Sequence, residues 1–170
     1  MTLPSVDSLI EKLTQALTPY FSSQDNQPII VGIETGGAWI AERLRQNLAP
    51  TAELGNLNIS FYRDDFTKTG LHPTVKPSSL PNDIDDRTVL LVDDVLHSGR
   101  TVRAAMNELF DYGRPRRILL AILIDRGERE IPIQADFVGD SIELSPDCHI
   151  KLEGPDPLTF SIKTLTRHAE

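Results

Sequence analysis

The apolar residues of this chain follow two patterns, a helical spacing and short, nearly continuous runs. Leucines at a four-residue spacing, followed by Phe21, predict an amphipathic helix over residues 5–21 that Ser5 caps. Similar spacings predict helices over residues 38–48 and 101–112. Apolar runs that are continuous or alternate with polar residues predict strands over residues 28–33, 57–62, 88–93, 117–125 and 135–139.

Helices and strands therefore alternate, which is typical of an α/β fold with a mainly parallel sheet flanked by helices. Near the C-terminus, two alternating runs at residues 149–152 and 159–162 predict a small hairpin. The 170 residues contain no internal repeat and no linker, so we expect one domain over residues 1–170. Residues 63–87 lack periodicity, and a loop of this length is usually functional or disordered.

Composition and charge narrow the class of protein. Hydrophobic residues make up 39% of the chain, no apolar run approaches the ~20 residues that span a bilayer, and the N-terminus lacks a signal-peptide pattern. The single cysteine, Cys148, excludes an internal disulfide. A net charge of −8 argues against a generic nucleic-acid binder, which relies on Lys and Arg. We therefore expect a soluble cytoplasmic protein without a membrane segment.

The most informative stretch is V-L-L-V-D-D-V-L-H-S-G-R-T at residues 89–101. It combines an apolar strand, the acidic pair Asp93 and Asp94, a turn of small residues, and a helix N-terminus. Free backbone N–H groups and the helix dipole favour a phosphate at such a turn. The acidic pair can accept hydrogen bonds from two sugar hydroxyls, or hold Mg²⁺ through water. The stretch predicts a site for a phosphorylated sugar.

Two other interpretations of this stretch are weaker. A buried strand followed by capping acids needs one carboxylate rather than two, and no Ser-Gly-Arg-Thr turn. The apolar strand with an aspartate also fits a Walker B strand, but the chain has no G-x-x-x-x-G-K-[ST] motif.

Residues 89–101 closely resemble the phosphoribosyl-pyrophosphate (PRPP) signature of type I phosphoribosyltransferases. Y-R-D-D at residues 62–65 and the long stretch at 102–139, which includes D-R-G-E-R-E-I-P-I-Q-A-D, resemble the PyrR family more specifically. Members of that family are uracil phosphoribosyltransferases that also act as RNA-binding attenuators of pyrimidine operons. The resemblance implies a type I phosphoribosyltransferase fold, in agreement with the alternation of strands and helices.

The resemblance also implies roles for individual residues. Asp93 and Asp94 would bind the ribose hydroxyls, near Mg²⁺ that is held mainly through PRPP and water, and Arg63 with the segment after it would close over pyrophosphate. The 5′-phosphate would lie in the phosphate turn, which consists of Val95, Leu96, His97, Ser98, Gly99, Arg100 and Thr101. The pyrophosphate loop would consist of Thr35, Gly36 and Gly37, and the nucleobase pocket would include Arg126, Phe137 and Val138.

By this resemblance, the chain makes UMP and pyrophosphate from uracil and PRPP with Mg²⁺, as a homodimer or homotetramer. A second interpretation is a regulator that binds UMP as effector and RNA as target, with weak or no catalysis. A third is a purine-type phosphoribosyltransferase. Residues 62–65 argue against the third, as does His97, where purine-type enzymes carry an acid.

Three departures from the family pattern change these expectations. Gly36 replaces an arginine, which removes one cation from the pyrophosphate loop. His97 replaces a residue that is often aromatic; it can carry a proton near neutral pH, or simply face solvent. Cations expected for RNA binding are replaced in the 125–140 segment and are few on the first helix, so RNA binding is doubtful. The replacements are Glu128, Gln134 and Asp140, while Arg129 and Lys12 remain.

Overall fold

The structure is a computed structural model of the chain and describes residues 3–23, 25–59 and 77–164. The helices of these residues are α1 (Val6–Phe21), α2 (Gly36–Leu48) and α3 (Arg100–Tyr112). The strands are β1 (Ile29–Ile33), β2 (Leu54–Leu57), β3 (Thr88–Leu96), β4 (Arg117–Asp125), β5 (Phe137–Ser141), β6 (Cys148–Glu153) and β7 (Thr159–Thr164).

The strands β1 to β5 form a parallel sheet in the order β2-β1-β3-β4-β5. The most apolar strands, β3 and β4, lie inside the sheet, where both faces are covered. Because the strands are parallel, the carboxyl ends of β1, β3 and β4 meet at one edge. The predicted α/β fold with a mainly parallel sheet is confirmed.

Helices cover both faces of this sheet. Leu13 of α1 and Leu44 of α2 belong to one buried cluster, together with Leu90 and Val92 of β3. The alternate residue Leu91 belongs to a second cluster with Val102 and Leu109 of α3. Successive residues of a strand point to opposite faces, so the continuous apolar run of β3 contributes to both clusters.

The predicted C-terminal hairpin is confirmed. Strands β6 and β7 pair antiparallel, from Cys148 opposite Thr164 to Glu153 opposite Thr159. Ile150, Leu152 and Leu158 of this region are buried in the cluster that contains α1 and α2. In the described part of the chain, no helix has both the length and the apolar character needed to cross a bilayer.

The predicted strand over residues 57–62 is wrong in position. Strand β2 ends at Leu57, residues 58 and 59 are not in a strand, and residues 60–62 lie outside the described residues. Gly55 and Asn56 disfavour strands but are held in one by backbone pairing with Val31 and Gly32 of β1. Leu57 and Ile59 produce the alternating apolar pattern because both are buried in the cluster that contains α3, and they do not share a strand.

Other boundaries differ by a few residues. Strand β3 continues three residues beyond the predicted end because its ladder with β4 runs on to Leu96, opposite Asp125. Helix α2 begins at Gly36 rather than at residue 38, and β5 begins at Phe137 rather than at residue 135. Helix α1 starts where predicted, with the Ser5 hydroxyl accepting a hydrogen bond from the Ser8 amide.

Candidate active site

The acidic pair lies near the carboxyl end of the central strand. Asp93 is 5% exposed and Asp94 is half-buried. One carboxylate oxygen of each aspartate is anchored by the next amide: Asp94 N donates to Asp93 Oδ1 at 2.9 Å, and Val95 N donates to Asp94 Oδ1 at 3.0 Å. Both carboxylates therefore have a fixed orientation.

The pyrophosphate loop, residues 35–37, touches this pair directly. The loop follows β1 and leads into α2, whose first residues are Gly36 and Gly37. A Cβ atom on Gly36 would lie 2.7 Å from Cγ of Asp94, and one on Gly37 would lie 3.0 Å from Cα of Asp93. Contacts this close leave no room for a side chain, so both glycines permit the loop to approach the carboxylates. The peptide bond between Glu34 and Thr35 is cis.

The phosphate turn, residues 95–101, includes the last two residues of β3, the connection at 97–99 and the first two residues of α3. Gly99 caps the helix in the left-handed region with φ of 91°, a conformation that glycine adopts without strain. A Cβ atom there would lie 2.9 Å from Cγ1 of Ile131, which is a second reason for glycine. The N-terminus of α3 lies at this turn, so the partial positive charge of its first N–H groups is available to an anion.

Residues 126–133, here termed the crossing segment, lie along the phosphate turn. The amide of Arg126 donates to the carbonyl of Leu96 at 2.8 Å. The amides of Glu130 and Ile131 donate to the carbonyl of Ser98 at 3.0 and 3.3 Å. The backbone of the turn is thereby attached to the chain that leaves β4.

Arg129 is the most extensively bonded side chain of the crossing segment. Its guanidinium donates to Asp125 Oδ2 at 2.6 Å and to the carbonyls of His97, Ile133 and Gly127 at 2.9, 2.9 and 3.1 Å. Burial acts to raise the pKa of Asp125, but hydrogen bonds from Arg129 and the Gly127 amide, with the charge of Arg129, leave that pKa below its ordinary value.

Two ion pairs join the outer surfaces of the same two segments. His97 Nε2 lies 3.1 Å from Glu128 Oε2, and Arg100 Nε lies 2.5 Å from Glu130 Oε2. All four side chains are at least 40% exposed, so the pairs contribute little to stability. Their effect is on surface charge, since Glu130 offsets the positive charge of Arg100 beside the turn.

The three residues assigned to the nucleobase pocket do not lie at one height in the sheet. Val138 shares a row of paired residues with Ile122 and Asp93, whereas Phe137 lies one row lower, beside Ala121. Arg126 follows β4, is 6% exposed, and its Nε has no hydrogen-bond partner among the described residues. Arg63, assigned to pyrophosphate, lies outside the described residues.

Sequence reasoning missed residues that support β5 from behind. The ring of Tyr20, on α1, meets the ring of Phe137 edge-on, with centroids 5.4 Å apart and planes at 84°. Lys12 Nζ donates to the carbonyl of Gly139 at 2.5 Å. No local signal reveals these contacts, since they join residues more than 100 positions apart.

Metal binding can be assessed from the available side chains. The described residues contain no group of three or more His, Cys, Asp or Glu side chains that could enclose an ion. The acidic pair supplies two carboxylates, and Mg²⁺ is commonly held by one or two carboxylates with substrate phosphates and water. The donor set therefore fits a metal that arrives with a phosphorylated substrate.

Comparisons with known proteins agree with this geometry. The family model described as phosphoribosyl transferase domain matches residues 5–155. The bifunctional protein PyrR of Nitrosococcus oceani is 52% identical over 162 residues, covering 94% of this chain and 92% of the relative. The bifunctional protein PyrR of Pseudomonas aeruginosa is 48% identical over 167 residues, covering 98% of each chain.

Solved structures share the fold. A hypoxanthine phosphoribosyltransferase of Staphylococcus aureus matches with a TM-score of 0.68 and 21% identity, over 98% of this chain and 93% of that one. A purine phosphoribosyltransferase of Pyrococcus horikoshii matches with a TM-score of 0.62 and 26% identity, over 81% and 83%. The predicted family resemblance is confirmed: the chain belongs to the phosphoribosyl transferase domain family and, within it, to the PyrR family.

Proposed function

We propose that the chain transfers the phosphoribosyl group of PRPP to uracil and forms UMP and pyrophosphate. The observation that carries this proposal is the direct contact between Gly36 of the pyrophosphate loop and Asp94 of the acidic pair. This contact places the loop proposed to bind pyrophosphate beside the carboxylates proposed to bind the ribose. The N-terminus of α3, proposed to bind the 5′-phosphate, follows these carboxylates after the phosphate turn. Near-full-length similarity to bifunctional PyrR proteins places the chain in the family whose resemblance implies uracil as the acceptor.

In the proposed reaction, a ring nitrogen of uracil attacks the anomeric carbon of PRPP. The bond from that carbon to the pyrophosphate oxygen breaks, pyrophosphate leaves with the electron pair, and the proton of the nitrogen passes to solvent water. Asp93 and Asp94 accept hydrogen bonds from the ribose hydroxyls and hold the sugar in place. Because both carboxylates are anchored by backbone amides, they need little reorganisation when the sugar binds.

The leaving group carries most of the negative charge. The pyrophosphate loop includes the N-terminus of α2, whose free N–H groups carry partial positive charge and favour the negative charge of pyrophosphate. Mg²⁺, held through water by Asp93 and Asp94, would neutralise the pyrophosphate and relieve the repulsion between two adjacent carboxylates. By the family resemblance, Arg63 is a further cation for pyrophosphate.

The acceptor would bind beyond the ends of β4 and β5. Val138 lies in the row of Asp93, two strands away, which corresponds to about 10 Å at the usual strand spacing. Arg126 contributes a buried cation to the same end of β4, and its Nε has no partner within the part of the chain that the structure describes. Phe137 would present its ring to the base on the side opposite Tyr20.

RNA regulation, which the resemblance to the PyrR family implies as a second function, has less support from the described residues. Both cations that remained for RNA are engaged within the protein: Lys12 binds the carbonyl of Gly139, and Arg129 makes four internal hydrogen bonds. We therefore expect RNA to bind weakly and with a small salt dependence.

The single domain and the assembly as a homodimer or homotetramer remain predictions. Light scattering of the purified protein would measure its mass in solution and so test the predicted assembly.

The test is pyrophosphate release from PRPP and Mg²⁺ with uracil, hypoxanthine, guanine or orotate in separate reactions. We expect release with uracil, and its loss in Asp93→Asn and Asp94→Asn. Asp111→Asn, which changes an exposed acid of α3, is the matched control and should leave the rate unchanged. Release with a purine alone would identify a purine-type enzyme. Absence of release with any base, combined with UMP binding, would identify a sensor.

A further inference from the structure

Three consecutive carbonyls within the phosphate turn are bonded to one neighbour, the crossing segment. They are the carbonyls of Leu96, His97 and Ser98, which accept hydrogen bonds from that segment. In a trans peptide, the C=O and the N–H of the same unit point in opposite directions. The N–H groups of His97, Ser98 and Gly99 are therefore directed away from the crossing segment. A row of amides with one direction is an anion-binding arrangement.

Arg129 holds the middle unit of this row. Backbone amides of the crossing segment bind the carbonyls of Leu96 and Ser98. The carbonyl of His97, between them, is bound at 2.9 Å by the Arg129 guanidinium. We propose that Arg129 is a positioning residue for the 5′-phosphate, acting through the His97 carbonyl without touching the phosphate. This inference rests on the proposed use of the turn for a 5′-phosphate.

The surroundings of Arg129 fix its guanidinium for this task. Asp125, at the end of β4, binds one side of it at 2.6 Å, and the carbonyls of Ile133 and Gly127 bind others at 2.9 and 3.1 Å. The side chain of Arg129 is 21% exposed and that of Asp125 is 18% exposed. Four bonds in four directions require the planar fork of arginine, and the single ammonium of lysine cannot reproduce them.

This geometry separates a positioning role from direct binding of phosphate or RNA. A cation that contacts a phosphate directly acts mainly through its charge, which a lysine retains. A fork that holds a carbonyl fails when lysine replaces it. Arg103, an exposed cation of α3, is the matched control because it lies on the same helix that begins at the turn.

The experiment compares wild type, Arg129→Lys, Arg129→Ala and Arg103→Ala. Calorimetry gives the UMP dissociation constant, and steady-state kinetics give the KM values of PRPP and uracil. We expect both Arg129 variants to weaken UMP binding and to raise the PRPP KM by about 10- to 100-fold, with the uracil KM nearly unchanged. Arg103→Ala should behave as wild type. If an Arg129 variant fails to fold, Asp125→Asn takes its place, because it keeps the shape of the side chain that holds Arg129. It should weaken UMP binding and raise the PRPP KM by less than the Arg129 variants do.

Each outcome decides one of the two proposals. Wild-type affinity for UMP in folded Arg129→Lys overturns the inference and leaves the enzyme proposal standing. An equal rise of the uracil and PRPP KM values also overturns it, because it indicates a general disturbance of the site. A wild-type chain that binds UMP and PRPP but releases no pyrophosphate overturns the proposed activity and leaves the inference testable by UMP binding. A wild-type chain that binds neither overturns both.

Discussion

Gly36 and Asp94 are in direct contact, although they belong to different strand–helix units. A Cβ atom on Gly36 would lie 2.7 Å from Cγ and 3.0 Å from Cβ of Asp94. The PyrR family pattern places an arginine at this position, so the glycine at first indicates a missing cation. The contact indicates a second role for Gly36, because the missing side chain leaves space in which the Asp94 carboxylate can lie against the pyrophosphate loop.

Replacing Gly36 should therefore impair the reaction even when the new side chain is small. We expect Gly36→Ala to displace Asp94 and to lower kcat/KM for PRPP by about 10- to 100-fold, because small displacements of aligned groups are costly. Gly36→Arg should be no better, although it restores the family's cation. Gln46→Ala, on the exposed side of α2, is the control. Higher activity in Gly36→Arg would show that the missing charge matters more than the contact.

The ion pair of Asp125 and Arg129 predicts a dependence of stability on pH. The pKa of Asp125 is lowered in the folded protein, so its ionised form contributes stability above the unfolded pKa of about 4. That contribution is lost as the pH falls through the lower, folded pKa. Urea unfolding of wild type and Asp125→Asn should differ by about 1–3 kcal/mol at pH 7 and converge in acid. A constant difference at all pH values would contradict the assignment.

The ring contact between Tyr20 and Phe137 predicts a selective effect on the acceptor. Tyr20→Ala removes the edge-on partner and should cost about 0.5–1.5 kcal/mol beyond lost burial. If Phe137 contacts the base, the KM of uracil should rise while the KM of PRPP stays constant. Tyr112→Ala, at a tyrosine that is 49% exposed, is the matched control. Equal effects of the two substitutions on uracil would argue against a role for Phe137.

A hydrogen-bonded chain joins the end of β2 to α3. The Asn58 amide donates to the Ser78 hydroxyl at 2.8 Å, and that hydroxyl donates to Glu108. The other carboxylate oxygen of Glu108 is buried without a partner among the described residues. Ser78→Ala removes one acceptor and one donor, so we expect a loss of about 1–3 kcal/mol in urea unfolding. Ser141→Ala, at an exposed serine, should lose almost nothing.

Much of the fold could be predicted because its strongest signals are local. The spacing of leucines in α1, the apolar runs of β3 and β4, and the turn before α3 depend on neighbours within one element. The same holds for the placement of Asp93 and Asp94 near the carboxyl end of β3, although the strand runs on to Leu96.

Other features depend on partners far along the chain. Arg129 was a plausible RNA-facing cation by sequence, yet its guanidinium binds the carbonyl of His97, 32 residues earlier. The sequence does not predict a strand at Gly55 and Asn56, because both residues disfavour strands; pairing with β1 overrides that preference. In each case the role of the residue is set by a contact between distant parts of the chain, which forms only on folding. The spacing of residues along the sequence does not predict such a contact.

The three bonded carbonyls of the phosphate turn have a thermodynamic consequence. These hydrogen bonds join protein atoms to protein atoms, so the turn acquires its shape when the chain folds. The conformational entropy of the turn is then lost at folding rather than at ligand binding. At the proposed site, a phosphorylated ligand would meet a preorganised receptor, and its affinity would not be reduced by the need to order the loop that receives it.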